Sequence, residues 1–393
     1  MRNYANDIVA SWTITEDEYI TLTVPASSKF RSVDLVENFG IRFQNIKSST
    51  GGKLVIDYIY MGPCSELPGT DGGEEESKEP VLLSEWNMGH SLNLASDISV
   101  NLAVNKDLLS GFDMDTVYVL AEVDIYEGNT KTGAKIVKIL PKEQGTYYYF
   151  TFTGLTAVNM NDTIRSVLYG TKDGQPYYSP TDEYSIATYA YSQMNKAGMP
   201  DSLKTLCADL LRYGAKAQTF KAYRTDALAD GAMAPEHMAY LSDMETVAFG
   251  NTNNLLGDLE NAPVTWAGKA LDLASKVTLQ FVFNPGSYGD RVEALTLRLT
   301  YTTIEGETKT LTLEGATLYN AQQGLYCFSF DGLLAAELRT VVCARIYEGD
   351  TPVSCTLEYS ADTYGNNKPG TLGELCKALF AYSDSAKGFF QGP

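Results

Sequence analysis

Imidazoles, indoles and thiols are scarce in this 393-residue chain, which has two histidines, three tryptophans and six cysteines. His90 and His237 lie far apart with no metal-ligand spacing, so a zinc site or a Ser-His-Asp triad is disfavoured and both are read as surface or linker side chains. No C-x-x-C pair occurs among Cys64, Cys207, Cys327, Cys343, Cys355 and Cys376. Positive charge is also short: 30 basic against 49 acidic residues give a formal charge of −19, which repels phosphate backbones and anionic bilayers and excludes nucleic acid as a partner. No apolar run approaches the ~18 residues of a membrane span, so no membrane insertion is expected. Phosphate-cradling glycine loops are missing. The opening MRNYANDIVASW has no apolar core or small-residue cleavage site, so no signal peptide is read. The chain is therefore expected either to stay inside the cell or to begin partway through a larger one.

A long internal repeat is present. SLNLASDISVNL at 91–102 returns as ALDLASKVTLQF at 270–281, an offset of 179. EGNTKT returns as EGETKT and YFTFTGLTA as CFSFDGLLA, both at 178. Ile164-Arg165-Ser166-Val167 resembles Leu338-Arg339-Thr340-Val341 at 174, and Leu206-Cys207 matches Leu375-Cys376 at 169. Two copies at so long a period indicate duplicated domains, since solenoid units run ~20–50 residues. A falling offset places loop deletions in the second copy. Of the cysteines only Cys207 and Cys376 are shared, so most are expected to be reduced core thiols rather than a copied disulfide framework.

Each copy changes its hydrophobic period along its length. Val117, Val119, Ala121, Val123 and Ile125 alternate with polar residues, as do Leu295, Leu297, Leu299 and Tyr301, which predicts half-buried strands. Short strands between Gly, Asn and Asp clusters fit immunoglobulin-like antiparallel sandwiches. Leu203, Leu206, Cys207, Leu210, Tyr213, Ala217 and Phe220 then share one helical face, repeated by Leu372, Leu375, Cys376, Leu379, Tyr382, Ala386 and Phe389. Each terminal helix is expected to cover its own sandwich. A shorter helix at about 185–196 precedes the first of them, and YGNNKPG replaces most of it in the second copy.

The fold class is thus mainly β with appended helices: tandem immunoglobulin-like β-sandwich modules, each closed by a C-terminal amphipathic helix, plus an N-terminal partial jelly roll. The domains read as a partial jelly roll at 1–63, an acidic Pro/Gly/Glu-rich linker at 64–85, copy 1 at 86–222, a linker with a short helix at 223–264, and copy 2 at 265–390. At the front, FGIRFQNIKSSTGGKLVIDYIYMGP carries two alternating strands, Ile41–Asn45 and Lys53–Met61, and resembles the back half of a galactose-binding-like jelly roll of the carbohydrate-binding-module kind. The duplicated part, with YSIATYAYSQMNKAGMPDSLKTLCADLLRYGAKAQTF and GTLGELCKALFAYSDSAKGFF, resembles modules of large secreted or cell-surface proteins of gut Firmicutes. That resemblance implies an extracellular or cell-surface setting in a larger chain and brings no catalytic residues with it.

The candidate chemistry is thin. Asp113 and Asp115, or Asn159, Asn161 and Asp162, offer oxygen donors suited to calcium, yet neither group has a full donor loop. Polar turns are the preferred reading. No cofactor is expected, and a structural calcium is left open without a place for it. If the front segment binds sugar, Trp12, Tyr58 and Tyr60 are the ligand-binding candidates, because amphipathic rings stack on the C–H faces of sugars while their polar edges meet hydroxyls. Core packing of such rings is the competing reading. Function is therefore read as a non-catalytic extracellular binding or spacer array, carbohydrate-associated, with glycan or cell-wall polysaccharide as partner. The alternative is a glycoside hydrolase with its site between modules.

Overall fold

The computed structural model describes residues 78–93, 98–273 and 277–392, all within the compact unit Glu76–Pro393. Trp12, Tyr58, Tyr60 and the strands read at 41–61 lie outside the described residues.

The first module comprises β1 (Val81–Leu82), β2 (Gly89–Asn93), β3 (Ser99–Asn105), β4 (Asp113–Glu127), β5 (Thr130–Ile139), β6 (Lys142–Gln144), β7 (Tyr147–Phe152), β8 (Ile164–Lys172), β9 (Gln175–Tyr178) and β10 (Asp182–Tyr184). Its helices are α1 (Ile186–Asn195) and α2 (Asp201–Lys221). One sheet runs β2-β3-β7-β6; the other runs β1-β9-β8-β4-β5, with β10 on β8. After α3 (Pro235–Met238) and β11 (Asn253–Leu255) come β12 (Thr265–Asp272), β13 (Thr278–Asn284), β14 (Leu295–Thr302), β15 (Thr308–Leu313), β16 (Thr317–Asn320), β17 (Leu325–Phe330), β18 (Val341–Glu348), β19 (Thr351–Pro352), β20 (Leu357–Ser360) and α4 (Gly370–Gln391). Here the sheets run β12-β13-β17-β16 and β11-β20-β18-β14-β15, with β19 on β18. Two short edge pieces come from stretches read as linker: β1 runs parallel to β9, and β11 extends the larger sheet of the second module.

Alternation builds each core. Val117, Val119, Ala121 and Val123 of β4 are buried against Val100, Leu102 and Val104 of β3 and Phe150 of β7. Ile125 belongs to the same alternation but is 47% exposed, because β4 runs past the core into its hairpin with β5. Leu295, Leu297, Leu299 and Tyr301 of β14 face Leu279 and Phe281 of β13 and Phe328 of β17 in the same way.

Register fixes how the copies correspond. Val119 pairs with Leu168 in the first module and Leu297 with Ile346 in the second, so Leu168 matches Ile346 at an offset of 178. The sequence pairing of Ile164-Arg165 with Leu338-Arg339 is therefore a coincidence of letters, and Ile164 corresponds to Val342. The second copy is shortened in two places, in the hairpin after β8 and where α1 stands in the first. At β10 the offset is 175, since Tyr184 pairs with Ile164 as Tyr359 pairs with Val342, and in the terminal helices it is 169. In place of α1 the second copy has a 3-10 turn, Ala361–Gly365.

The terminal helices do more than close their own sandwiches. Each packs on a 3-10 turn of its own module, α2 on Ala157–Asn159 and α4 on Ala335–Glu337, and the two helices also pack on each other. Tyr213 and Tyr382, equivalent residues at the offset of 169, stack with centroids 5.8 Å apart and planes 8° from parallel. Burial pushes both phenols above the ordinary tyrosine range, Tyr213 with Cys376 beside it and Tyr382 with Tyr213 and Cys207. Contacts that recur with the partners exchanged are the mark of a two-fold interface. The two modules therefore share a helical seam, and the expectation of separately packed halves is revised. The cause is visible in α2, where every residue from Leu206 to Ala215 is buried, polar ones included. Asp209 is fully buried, and Arg212 Nη2, Ser242 N and Oγ, and Ser385 Oγ of α4 donate to it at 2.6–3.1 Å.

A polar cleft opened by the missing helix

The second module has a 3-10 turn where the first has α1, and a cleft of about 460 Å3 lies there between β11, β12, β20 and the chain leading into α4. In the first module α1 packs on β2, the strand equivalent to β12. In the second module the shorter Ala361–Gly365 turn lies beside β12, whose Gly268, Lys269 and Ala270 are half-buried.

Carboxamides, phenols and ammonium groups line the cleft. Asn253 comes from the edge strand β11, Lys269 from β12 and Tyr359 from β20. Thr363 and Tyr364 come from the 3-10 turn, Asn366 and Lys368 from the loop after it, and Asn251 from the approach to β11. Lys269 Nζ donates to Asn253 Oδ1. Burial lowers the pKa of its ammonium. Lys368 Nζ sits 4.2 Å over the ring of Tyr364, whose phenol is raised first by burial and then by Cys376, Tyr319 and Asp272. Asn366 Nδ2 donates to Gly250 O at 2.7 Å, tying the loop to the far wall.

That wall is braced from behind. Buried Asp362 accepts from Gly250 N at 3.0 Å and from Arg339 Nη1 at 3.1 Å, and Ser360 Oγ donates to its other oxygen. Arg339 also grips Asp384 of α4 through Nε and Nη2 at 2.6 and 2.8 Å. Gly365 is required for close approach, since a Cβ there would lie 2.2 Å from Phe249. The lining is thus held on a rigid frame shared with the seam helix.

A smaller cleft of about 190 Å3 lies in the first module beside Asp124, Lys135, Asn159 and Tyr223. Burial alone would raise the Asp124 carboxyl, but Lys131 and Arg165 together hold it below the usual carboxylate range. Its charge is spent on structure.

The calcium candidates separate in the same way. Asp113 and Asp115 stand at the start of β4 rather than in the expected turn, where Asp113 Oδ1 accepts from Asp115 N at 3.2 Å. Asn159 Oδ1 accepts from Thr156 N, and both oxygens of buried Asp162 are taken by Arg224, Tyr223 and Asn159. Among the described residues no group of three or more His, Cys, Asp or Glu is placed to hold a metal ion. His237, read as a surface or linker residue, is buried, with Nε2 2.8 Å from Asn195 Oδ1. His90 Nε2 lies 2.7 Å from Asp182 Oδ2 while its ring stacks on Tyr184 at 3.8 Å. The described cysteines are free thiols; burial pushes Cys207 to about 12 and Cys376 to about 11.

None of the cleft residues was singled out from sequence. The signal that could have found them is the YGNNKPG substitution, which marks the missing helix and supplies Tyr364, Asn366 and Lys368.

No family model matches the chain, and no curated protein does. Among solved structures 42 chains match. One is the laminaripentaose-producing β-1,3-glucanase of glycoside hydrolase family 64 from Paenibacillus barengoltzii in complex with laminarihexaose, similar at 7% identity with a TM-score of 0.18. The match covers 71% of this chain and 53% of that one, so the chain spans about half the length of that protein.

Proposed function

We propose that the chain is a non-catalytic binding and spacer array of a secreted or cell-surface bacterial protein, and that its second module binds carbohydrate in the cleft opened by the missing helix. The observation that carries this reading is the lining: carboxamides and phenols offer both donors and acceptors to hydroxyl groups, and Tyr364 adds a ring edge to an open, polar concavity. Recognition of a polyhydroxylated ligand uses such groups. Glycoside cleavage uses two carboxylates roughly 5–9.5 Å apart across the scissile bond. The alternative of a hydrolase with its site between modules meets a seam filled by stacked tyrosines and by an aspartate already saturated with hydrogen bonds. Duplication agrees with a spacer role, since two copies joined by a buried helix pair hold their outer faces at a fixed separation.

The test is a glycan array probed with the labelled full chain, covering plant, mucin and host glycans. Binding is expected, and Tyr364→Phe combined with Asn251→Ala, which keep the packing of the ring and the Asn366 tie, should weaken it while leaving the thermal transition in place. An array silent across all classes, or turnover of a bound glycan, refutes the reading.

A further inference from the structure

The two copies differ at the cleft in a way that points to its ligand. Lys269 on β12 occupies the register position of His90 on β2: His90 pairs with Leu102 and Lys269 with Phe281, at the common offset of 179. In the first module the basic side chain at this position is met by a carboxylate of the same chain, Asp182 on β10, at 2.7 Å. The equivalent of Asp182 on β20 is Leu357, because Asp182 pairs with Ser166 as Leu357 pairs with Ala344. The second module thus has a basic residue at the same position, an apolar side chain in place of its carboxylate, and a short 3-10 turn in place of α1.

We propose that the cleft takes an acidic sugar whose carboxylate sits against Lys269, the role Asp182 plays for His90, with Lys368 as a second cation. This rests on the carbohydrate-binding reading above and adds the class of sugar. Lys269 and Lys368 are met by neutral groups, the Asn253 carboxamide and the Tyr364 ring, so each keeps unused donors for an anion. An ammonium against a carboxylate makes a charge-assisted hydrogen bond, stronger than a neutral pair. Two cations facing one concavity stand out on a chain of formal charge −19, and they supply the local field that an anionic ligand needs to approach it. Asn251, Asn253 and Asn366 surround them with groups suited to ring hydroxyls rather than to a bare inorganic anion.

The experiment is calorimetry on the full chain with three probes: oligogalacturonate, its neutral methyl ester, and pentaglutamate. Oligogalacturonate should bind at least about tenfold more tightly than the ester, weakening as salt is raised. Lys269→Gln and Lys368→Gln should each remove about tenfold of that affinity, and Lys269→Arg should retain most of it. Equal binding of acid and ester, unchanged by Lys269→Gln, overturns the acidic-sugar assignment and leaves carbohydrate binding standing. Pentaglutamate binding as tightly as oligogalacturonate overturns the assignment to a sugar. Failure of both sugars to bind overturns the acidic-sugar assignment, while the carbohydrate reading falls only if the glycan array is silent as well. The probe series on the unaltered chain decides these outcomes even if a lysine variant folds poorly.

Discussion

Replacing Asp209 by alanine should be among the most damaging single changes to this chain, although the residue touches no cleft. Its carboxylate is fully buried and accepts from Arg212 Nη2, Ser242 Oγ and Ser385 Oγ at 2.6 Å each and from Ser242 N at 3.1 Å. Alanine would leave the 9%-exposed Arg212 without its ion-pair partner, with Ser242 O and the fields of Asp230 and Asp243 remaining, on a cation whose Nε has no partner and whose ionisation burial disfavours. Breaking a buried pair from one side costs about 3–5 kcal/mol. That is a large part of the ~5–15 kcal/mol typical of a folded domain. Ser385→Ala removes one donor of four and should cost about 1.5–3 kcal/mol, the range for a hydrogen bond to a charged group. Because Ser385 lies on α4 and Asp209 on α2, the double variant should lose less than the sum of the singles. Urea unfolding measures this, with a tryptophan in each module as reporter: Trp86 is in the first core, and Trp266 packs on Phe281 in the second. In a Trp12→Phe background both reporters should move together, since the seam couples the modules. A loss below about 1 kcal/mol for Asp209→Ala, or separate transitions at Trp86 and Trp266, refutes the argument that the seam is a shared core.

Gly365→Ala should cost about 1–3 kcal/mol by overpacking, because its Cβ would lie 2.2 Å from Phe249, and should weaken glycan binding by displacing the cleft wall; thermal melts and the array read the two effects. Cys207 and Cys376 should resist alkylation in the native chain at pH 8 and react on denaturation, because their raised pKa values keep them as thiols. Unfolded thiols ionise near 9, so the stabilisation these groups give the fold is present below pH 9 and lost as pH rises through about 11 to 12. A flat urea midpoint from pH 8.5 to 11 refutes that reading.

The strands and helices were readable because each carries its apolar residues along one face. The alternation at Val117–Val123 and the helical stripe of Leu206, Cys207, Leu210 and Tyr213 are one-sided patterns set by local geometry. The seam was not readable for the complementary reason. Asp209, Arg212 and Gln218 look like the wet side of an amphipathic helix, and nothing local distinguishes water from a second helix that offers Ser385 as a donor. Letter matching failed at Ile164 and Leu338 because apolar-Arg-polar-Val is compatible with more than one register, and only the pairing of β4 with β8 and of β14 with β18 chooses. The cleft was half legible: the deletion showed in YGNNKPG, but that a cleft lies there at Lys269 depends on which strand α1 packs on.

Likeness and difference between the two modules fall on different parts of this molecule. The seam needs both copies to keep the same helix face, because Tyr213 and Tyr382 each contribute half of one stack. A change to either ring is felt by both modules, which constrains the pair. The cleft requires the opposite, that the copies differ: α1 present in one and absent in the other, Asp182 against Leu357, His90 against Lys269. The first module meets its basic position with a carboxylate of its own, and the second meets the equivalent lysine with a carboxamide. If the seam keeps the second module folded with a short turn in place of α1, then stability supplied by the first copy is what permits a polar concavity in the second. Seam variants should then loosen the cleft as well, and Lys269 should become accessible to acylating reagents at lower denaturant in Ser385→Ala than in the unaltered chain.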